Sequence, residues 1–237
     1  MKNMDNSVSI IIPALNEAGN VENAVSSITQ ALEKRNITDF EILIIDDGST
    51  DGTYQIVNDL CMKNNHISIF HNRAPKGLGY NFRMGVNVAS KDYVGWFPGD
   101  NEVLPESIRN ILTELGKADM IIPYIANQRI RSRYRRVLSY IYVFIFNTIF
   151  GLRLKYFNGT CFFKRELLKT VFMTTDSPAY MAEILVQLIK NGKTSYIEVP
   201  FYMKERTYGK SGVLKWKNVY LIGKTIANLI YRIYFVK

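Results

Sequence analysis

Short apolar runs alternate with stretches of helical periodicity along the first half of the chain. "VSIIIP" (8–13) and "FEILIIDD" (40–47) are continuous, β-branched and of strand length, the pattern of strands covered on both faces. "ISIF" (67–70), "YVGWF" (93–97) and "DMIIPYI" (119–125) repeat it. After the first run, Val21, Ala24, Val25, Ile28 and Leu32 recur at helical spacing, with Asn16 placed to cap that helix. Further helices are predicted through Ile56, Val57 and Leu60, over residues 78–89, and after Pro105. Strands separated by helices of this length predict an α/β fold with a mainly parallel sheet and right-handed crossovers. Ligands of such sheets bind beyond the carboxyl ends of the strands, where Asp46, Asp47, Asp100 and Glu102 all fall.

The second half changes character. "RIRSRYRR" (129–136) carries five arginines, and an aromatic, apolar helix follows directly. Its core, "VLSYIYVFIFNTIFGL" (137–152), is 16 residues long and interrupted by Ser139 and Asn147. Crossing a bilayer takes about 20 apolar residues, so a core or interfacial helix is predicted instead. A helix over 180–190, the strand "SYIEVPF" and a final helix over 214–235 complete the chain. The last helix mixes Trp216, Tyr220, Tyr231 and Tyr234 with Lys217, Lys224 and Arg232. Both aromatic-basic helices suit the headgroup region of a membrane as well as packing on the sheet. One domain is expected, with a nucleotide-binding half over about 1–125 and an acceptor and membrane-interface half over about 126–237.

Composition narrows the partners. With 47% hydrophobic and 22% charged residues among 237, a packed core is expected and disorder is not. The formal charge of +9 points to an anionic partner: a phosphorylated substrate, acidic lipid or nucleic acid. No nucleic-acid motif accompanies the arginines, so nucleic acid is set aside. Cys61 and Cys161 have neither metal nor redox spacing and read as reduced core residues of a cytoplasmic protein. The N-terminus lacks a signal-peptide pattern. His66 and His71 read as turn or strand-end residues without a catalytic role, and no internal repeat is visible.

Three constellations carry chemistry. The run "DDGSTDGT" (46–53) ends a strand in carboxylates and glycines, which fits a nucleotide pocket or, more simply, a helix-capping turn. Asp100 and Glu102 follow the fourth strand; Mg²⁺ characteristically uses one or two carboxylates and keeps its waters, so this pair is a candidate metal site. Arg135 and Ser139 lie one helical turn apart and can face a single phosphate, which guanidinium groups grip as a fork.

"PALNEAGNVENAV", "EILIIDDGSTDGT" and the Asp100 segment together resemble the family 2 inverting glycosyltransferases of the GT-A fold, over most of the chain. Within that family the chain looks most like polyprenyl-phosphate sugar synthases of the dolichol-phosphate mannose type. The grounds are "NRAPKGLGYNFRMGVNVA" (72–89), the Arg135-to-Ser139 spacing, "NGTCFFKRELL" and "EVPFYMKERTYGKSG". The resemblance implies a Rossmann-like, mainly parallel sheet flanked by helices, with amphipathic membrane-facing helices at its C-terminal end. It implies a nucleoside diphosphate sugar as donor, a divalent cation (Mg or Mn), a lipid phosphate acceptor and a peripheral place on the cytoplasmic face of an anionic membrane. Stable anchoring would draw on a membrane protein partner or a homo-oligomer.

By the same resemblance Asp47 accepts the imide proton of the base, beside Asp46, with Pro13, Leu15 and Glu17 lining the pocket and Lys76 and Gly77 on the nucleotide side. The family's Asp-x-Asp-x-Gln segment reads Pro98-Gly99-Asp100-Asn101-Glu102 here: the second Asp is kept, Gln becomes Glu102, and Pro98 replaces the first Asp. That loss leaves open how the first contact is made. Arg135, Ser139 and Arg206 would place the phosphates, with Lys210 and Ser211 near Arg206. Arg129, Arg131 and Arg133 read as a solvated basic surface against acidic headgroups, and Glu183 matches a carboxylate of the family or pairs with an arginine. Two other readings stay open. One is transfer to a sugar hydroxyl, with Glu102 or Glu183 as general base; the other is a non-catalytic nucleotide-sugar-binding scaffold at the membrane.

Overall fold

In the computed structural model, which describes residues 7–192, 194–204 and 216–236, seven strands form one sheet in the order β3-β2-β1-β4-β6-β5-β7. β1 (Val8–Ala14) pairs in parallel with β2 (Phe40–Asp46) on one side and β4 (Tyr93–Trp96) on the other. β3 (Ile67–His71) extends the sheet beyond β2. β5 (Met120–Ile125) and β7 (Tyr196–Phe201) run the same way as these, and the three-residue β6 (Phe162–Lys164) runs against both its neighbours. Three residues leave no periodicity to read, and β6 is the strand that the hydrophobic pattern did not single out.

Alternation along the strands feeds two cores. Ile10, Ile12, Ile42 and Ile44 meet α1 (Val21–Lys34), α2 (Thr53–Lys63) and α4 (Pro105–Thr113). Ile11, Leu43, Ile45 and Val94 meet α3 (Leu78–Val88), α5 (Arg133–Phe150) and α7 (Tyr180–Lys190), with α8 (Trp216–Tyr234) outside α7. Residues 180–188 of α7 are buried all round because the helix lies between the sheet side and α8. Burying one such aliphatic or aromatic side chain contributes about 1.5–3 kcal/mol, so the continuous runs read from the sequence are a sufficient cause of the layering.

Asn16 does not cap α1. That helix begins after Asn20, and Asn16 adopts a left-handed backbone (φ 56°) four residues earlier. Its side chain is committed to the loop after β2, so it is not available to the helix terminus. Cys61 is half-buried and Cys161 fully buried. Among the described residues no helix is long and apolar enough to cross a membrane. α5 buries Phe146 and Phe150 and leaves Tyr134, Val137, Ile141 and Phe144 exposed, so it packs on the sheet with one face and shows solvent another.

Sequence order reverses between β1 and β4: the chain winds outward through β2 and β3, then returns to the other side of β1. A crevice opens where neighbouring strands send their loops in opposite directions. The loops after β1, β2 and β4 therefore meet at one edge.

Candidate active site

The crevice is built around the end of β1. Asp47 donates its backbone N–H to the Ala14 carbonyl (2.8 Å), and Gly99 donates to the Pro13 carbonyl (3.3 Å). The Asp46/Asp47 turn and the Asp100 loop thus flank residues 13–14 from opposite sides. Pro13 is half-buried there, and Leu15 stands exposed at the mouth.

The two most recognisable sequence runs are joined to each other. Asn16 donates its backbone N–H to Ser49 Oγ (2.9 Å), and its Oδ1 accepts from Thr50 N (2.9 Å). Glu17 N donates to Thr53 Oγ1 (2.9 Å), and Ala18 N to Asp51 Oδ2 (3.2 Å). Glu17 Oε2 accepts from Asn20 Nδ2 at 2.7 Å, closing the turn into α1. Burial pushes the Asp51 carboxyl up, but hydrogen bonds from Thr53 and the Ala18 amide outweigh it and hold the group below its ordinary value. The spacing of Asn-Glu and of Ser-Thr-Asp-Gly-Thr is the register of this clasp.

Asp46 and Asp47 have different jobs. Asp46 is wholly buried; its Oδ1 accepts from Ser49 N (3.1 Å) and its Oδ2 from His71 Nδ1 (2.7 Å). His71, at the end of β3, is therefore a partner of the strand-end carboxylate. Asp47, also buried, holds the loop that follows β3: Oδ1 accepts from Lys76 N (2.8 Å) and Asn72 Nδ2 (2.9 Å), and Oδ2 from Gly77 N (3.0 Å). Asn72 also reaches Asn81 Oδ1 on α3 at 2.9 Å. Lys76 enters this arrangement through its backbone amide, while its side chain is exposed. Asn72 and Asn81 are buried members of the site that residue-type reasoning passed over. Their one signal in the sequence is position, inside the 72–89 segment that carries the resemblance. Two glycines permit the approach. Gly48 (φ +80°) would place a Cβ 2.9 Å from Ala74 Cα, and Gly77 (φ +98°) sits in a backbone region closed to most side chains.

The loop after β4 presents Asp100, Asn101 and Glu102. Glu102 N donates to Asp100 Oδ1 (3.1 Å), and Asn101 is left-handed at φ 55°. The Asn101 Oδ1 is buried and has no hydrogen-bond partner. Such an atom is rare in folded proteins, and a hard oxygen between two carboxylate-bearing residues suits a hard cation. Among the described residues no group of three His, Cys, Asp or Glu stands together. Asp100, Asn101 and Glu102 thus offer oxygen donors of the kind a hard cation takes.

The other edge of the crevice comes from the second half. Glu102 O accepts from Lys204 N (2.8 Å), and Val103 bridges Met203, tying the Asp100 loop to the segment after β7. Arg206, Lys210 and Ser211 lie outside the described residues. Arg135 and Ser139 are half-buried on the first turns of α5, which follows β5 at the same sheet edge; Ser132 caps that helix by accepting from Arg135 N. Arg129 and Arg133 are exposed, as a basic surface requires. Arg131 is different: its guanidinium donates to Tyr156 Oη (3.1 Å), contacts Met203 Sδ (3.6 Å) and sits 5.9 Å from the Tyr156 ring centre. It is a structural brace and not a solvated charge, because Tyr156 arrives beside it only in the tertiary fold. Glu183 is likewise spoken for. It is 1% exposed and accepts from Thr174 N (2.9 Å), Thr174 Oγ1 (2.5 Å) and Thr175 N (3.1 Å). Hydroxyl and amides, not an arginine, compensate its charge.

The chain matches the family described as Glycosyl transferase family 2 over residues 9–172, more than half its length, and it belongs to that family. It is 32% identical over 114 residues to the uncharacterized glycosyltransferase YibD of Escherichia coli (strain K12), a match spanning 48% of this chain and 31% of that protein. It is 27% identical over 233 residues to the dolichol-phosphate mannosyltransferase of Pyrococcus furiosus, covering 96% of this chain and 62% of that protein. Among solved structures, glucosyl-3-phosphoglycerate synthase from Mycobacterium tuberculosis, in complex with Mg²⁺ and uridine-diphosphate, superposes with a TM-score of 0.67 at 16% identity. That match covers 96% of this chain and 79% of that one. At this identity the likeness concerns the GT-A-like fold. The chain thus combines membership of glycosyltransferase family 2 with a mixed α/β, mostly parallel seven-stranded sheet, and it spans about a third of the length of the first relatives it matches.

Proposed function

We propose that this protein transfers a sugar, with inversion, from a nucleoside diphosphate sugar to a polyprenyl-phosphate-type lipid acceptor at the cytoplasmic face of a membrane. The observation that carries the reading is the convergence at the end of β1: Asp47 and its loop on one side, Asp100 to Glu102 on the other. Asp47 is the anchor for the base, with Pro13, Leu15, Glu17, Lys76 and Gly77 around it; Asp46 braces the turn through His71. Asp100 and Glu102, with the Asn101 amide oxygen, would hold Mg²⁺ or Mn²⁺, which when bound supplies positive charge to the departing diphosphate.

The acceptor assignment rests on how carboxylates are used. A sugar hydroxyl needs a general base within about 3 Å, and Glu183, one of two candidates, is buried and filled with hydrogen bonds. A phosphate acceptor is already an anion and needs only to be gripped and aligned, for which Arg135, Ser139 and Arg206 are the proposed groups. The 96% coverage by a dolichol-phosphate mannosyltransferase supports the same choice. The exposed Tyr134, Val137, Ile141 and Phe144 on α5, and Tyr220, Tyr231 and Phe235 at α8, border Arg129, Arg133 and Lys224 and support peripheral binding to an anionic surface. Both halves of the chain contribute to one catalytic unit in this reading.

The test incubates purified protein and membranes with a panel of labelled nucleotide sugars, with and without Mg²⁺ or Mn²⁺, and extracts into organic solvent. Lipid-soluble, acid-labile label is expected, lost on chelation and in Asp100→Ala. Label in an acid-stable glycoside would instead select the hydroxyl acceptor. Nucleotide binding without any metal-dependent turnover would select a non-catalytic scaffold.

A further inference from the structure

A cleft of about 340 Å³ lies at the opposite end of the sheet from Asp100. Its position follows from β6, which runs against β4 with Lys164 opposite Tyr93. Arg165 N donates to the Asp92 carbonyl (2.7 Å), at the amino end of β4. The short helix α6 (Arg165–Leu168) therefore stands at the edge remote from the crevice, next to the end of α3.

Two i, i+4 pairs face the cleft: Arg83 and Asn87 on α3, Arg165 and Lys169 at α6. Leu168 and Val171 give it an apolar floor, and among the described residues no carboxylate lines it. Arg83 is fixed in place, donating to the Met173 carbonyl (3.1 Å) and to Asp176 Oδ1 (2.7 Å), and Asp176 neutralises it. Arg165 makes one long contact, 3.5 Å to the Ala89 carbonyl. Among the described residues neither Arg165 nor Lys169 has a carboxylate within ion-pair distance. Two uncompensated cations and an amide over an apolar floor, in a concavity of small-molecule size, form an anion receptor.

We propose that this cleft binds a phosphate group carried on an apolar or small organic body, as a second ligand site separate from the donor crevice. Guanidinium and ammonium donors from Arg165 and Lys169 hold the phosphate, Asn87 adds an amide, and Leu168 and Val171 take the carbon skeleton. The chemistry is common to a soluble phosphate monoester and to a phospholipid headgroup, and the experiment separates them.

Glycerol 3-phosphate and inorganic phosphate are titrated calorimetrically at constant ionic strength. In parallel, flotation is measured with vesicles of phosphatidylcholine, with and without phosphatidylglycerol. The proteins are wild type, Arg165→Gln/Lys169→Gln, the milder Lys169→Gln, and a control of equal charge change, Lys34→Gln/Lys63→Gln, on the other face of the sheet. Arg83 is left intact because it also braces residues 173–176. Melting temperatures confirm folding, and the exposed Lys169 provides the variant least able to disturb it. Binding of a soluble phosphate that weakens about tenfold for each cleft cation removed, and holds in the control, establishes a soluble ligand. Failure of both soluble probes, with phosphatidylglycerol-dependent flotation weakened in the cleft variants down to what α5 and α8 supply and unchanged in the control, establishes a lipid headgroup. Equal losses in cleft and control variants, or no binding in any arm, overturn the proposal.

Discussion

Replacing Asp47 by Asn tests the site at its most constrained point. The substitution keeps the shape of the side chain and removes its charge. In the wild type three donors converge on the carboxylate: Lys76 N at 2.8 Å, Asn72 Nδ2 at 2.9 Å and Gly77 N at 3.0 Å. An amide has one oxygen, so whichever way it turns, at least one donor meets an NH₂ group. A hydrogen bond to a charged acceptor contributes about 1.5–3 kcal/mol, and a buried donor left unsatisfied costs about 1–3 kcal/mol. Weakening the remaining bonds and orphaning one donor should together cost about 2–4 kcal/mol. For a chain of this size that lowers the melting temperature by roughly 4–16 °C. Urea unfolding followed by circular dichroism measures the stability change, and calorimetric titration with uridine and guanosine diphosphates measures the effect on the nucleotide. The expected outcome is a joint loss of stability and of nucleotide affinity, because in the proposed reading the carboxylate that braces the loop also anchors the base. A variant with wild-type stability would refute the bracing of residues 72–77 by Asp47, however much nucleotide affinity it lost.

Three further outcomes follow from the same geometry. Gly48→Ala places a methyl group 2.9 Å from the Ala74 backbone at a positive φ, and should cost about 1–3 kcal/mol, read as a lower urea midpoint with reduced nucleotide binding. Glu183→Gln should lower stability by about 1–3 kcal/mol while turnover per folded molecule persists, since the carboxylate braces residues 174–175; loss of turnover at unchanged stability would make it the base after all. Asp119 is held down to about 2, first by the Lys164 side chain at 2.8 Å and then by the Ser195 amide. A depressed carboxylate contributes stability above its unfolded value near 3.8 that disappears as pH falls through about 2, so Asp119→Asn should flatten the acid limb of a stability profile across that window. Partial exposure limits the effect to roughly 1–2 kcal/mol near neutral pH.

The hydrophobic pattern carried the layering of this protein because burial is a local property of each residue. Runs such as 8–13 and 40–47 had to become strands covered on both faces, and α1 had to bury the stripe its spacing draws. The carboxylates at strand ends were legible for the same reason, since a strand that stops at Asp-Asp-Gly can only turn there. Partnership was not legible. Asn16 looked like a cap because Asn favours that position; Thr50 in the loop after β2, 34 residues on, claimed its side chain instead. Arg131 looked solvated like its neighbours until Tyr156 folded beside it, and Glu183 looked reactive until Thr174 and Thr175 closed on it.

By itself, then, the sequence determined the longer helices and the strands other than the three-residue β6, that the sheet is mostly parallel, and which acidic residues stand at its carboxyl edge. Only the tertiary structure decided which donors the buried charges among them meet. The reason is physical: periodicity and residue type report how one segment meets water, whereas the state of a buried charge depends on donors brought to it from distant segments. Asp46 and Asp47 stand side by side in the chain, yet they differ because His71 reaches one and the amides of residues 76–77 reach the other.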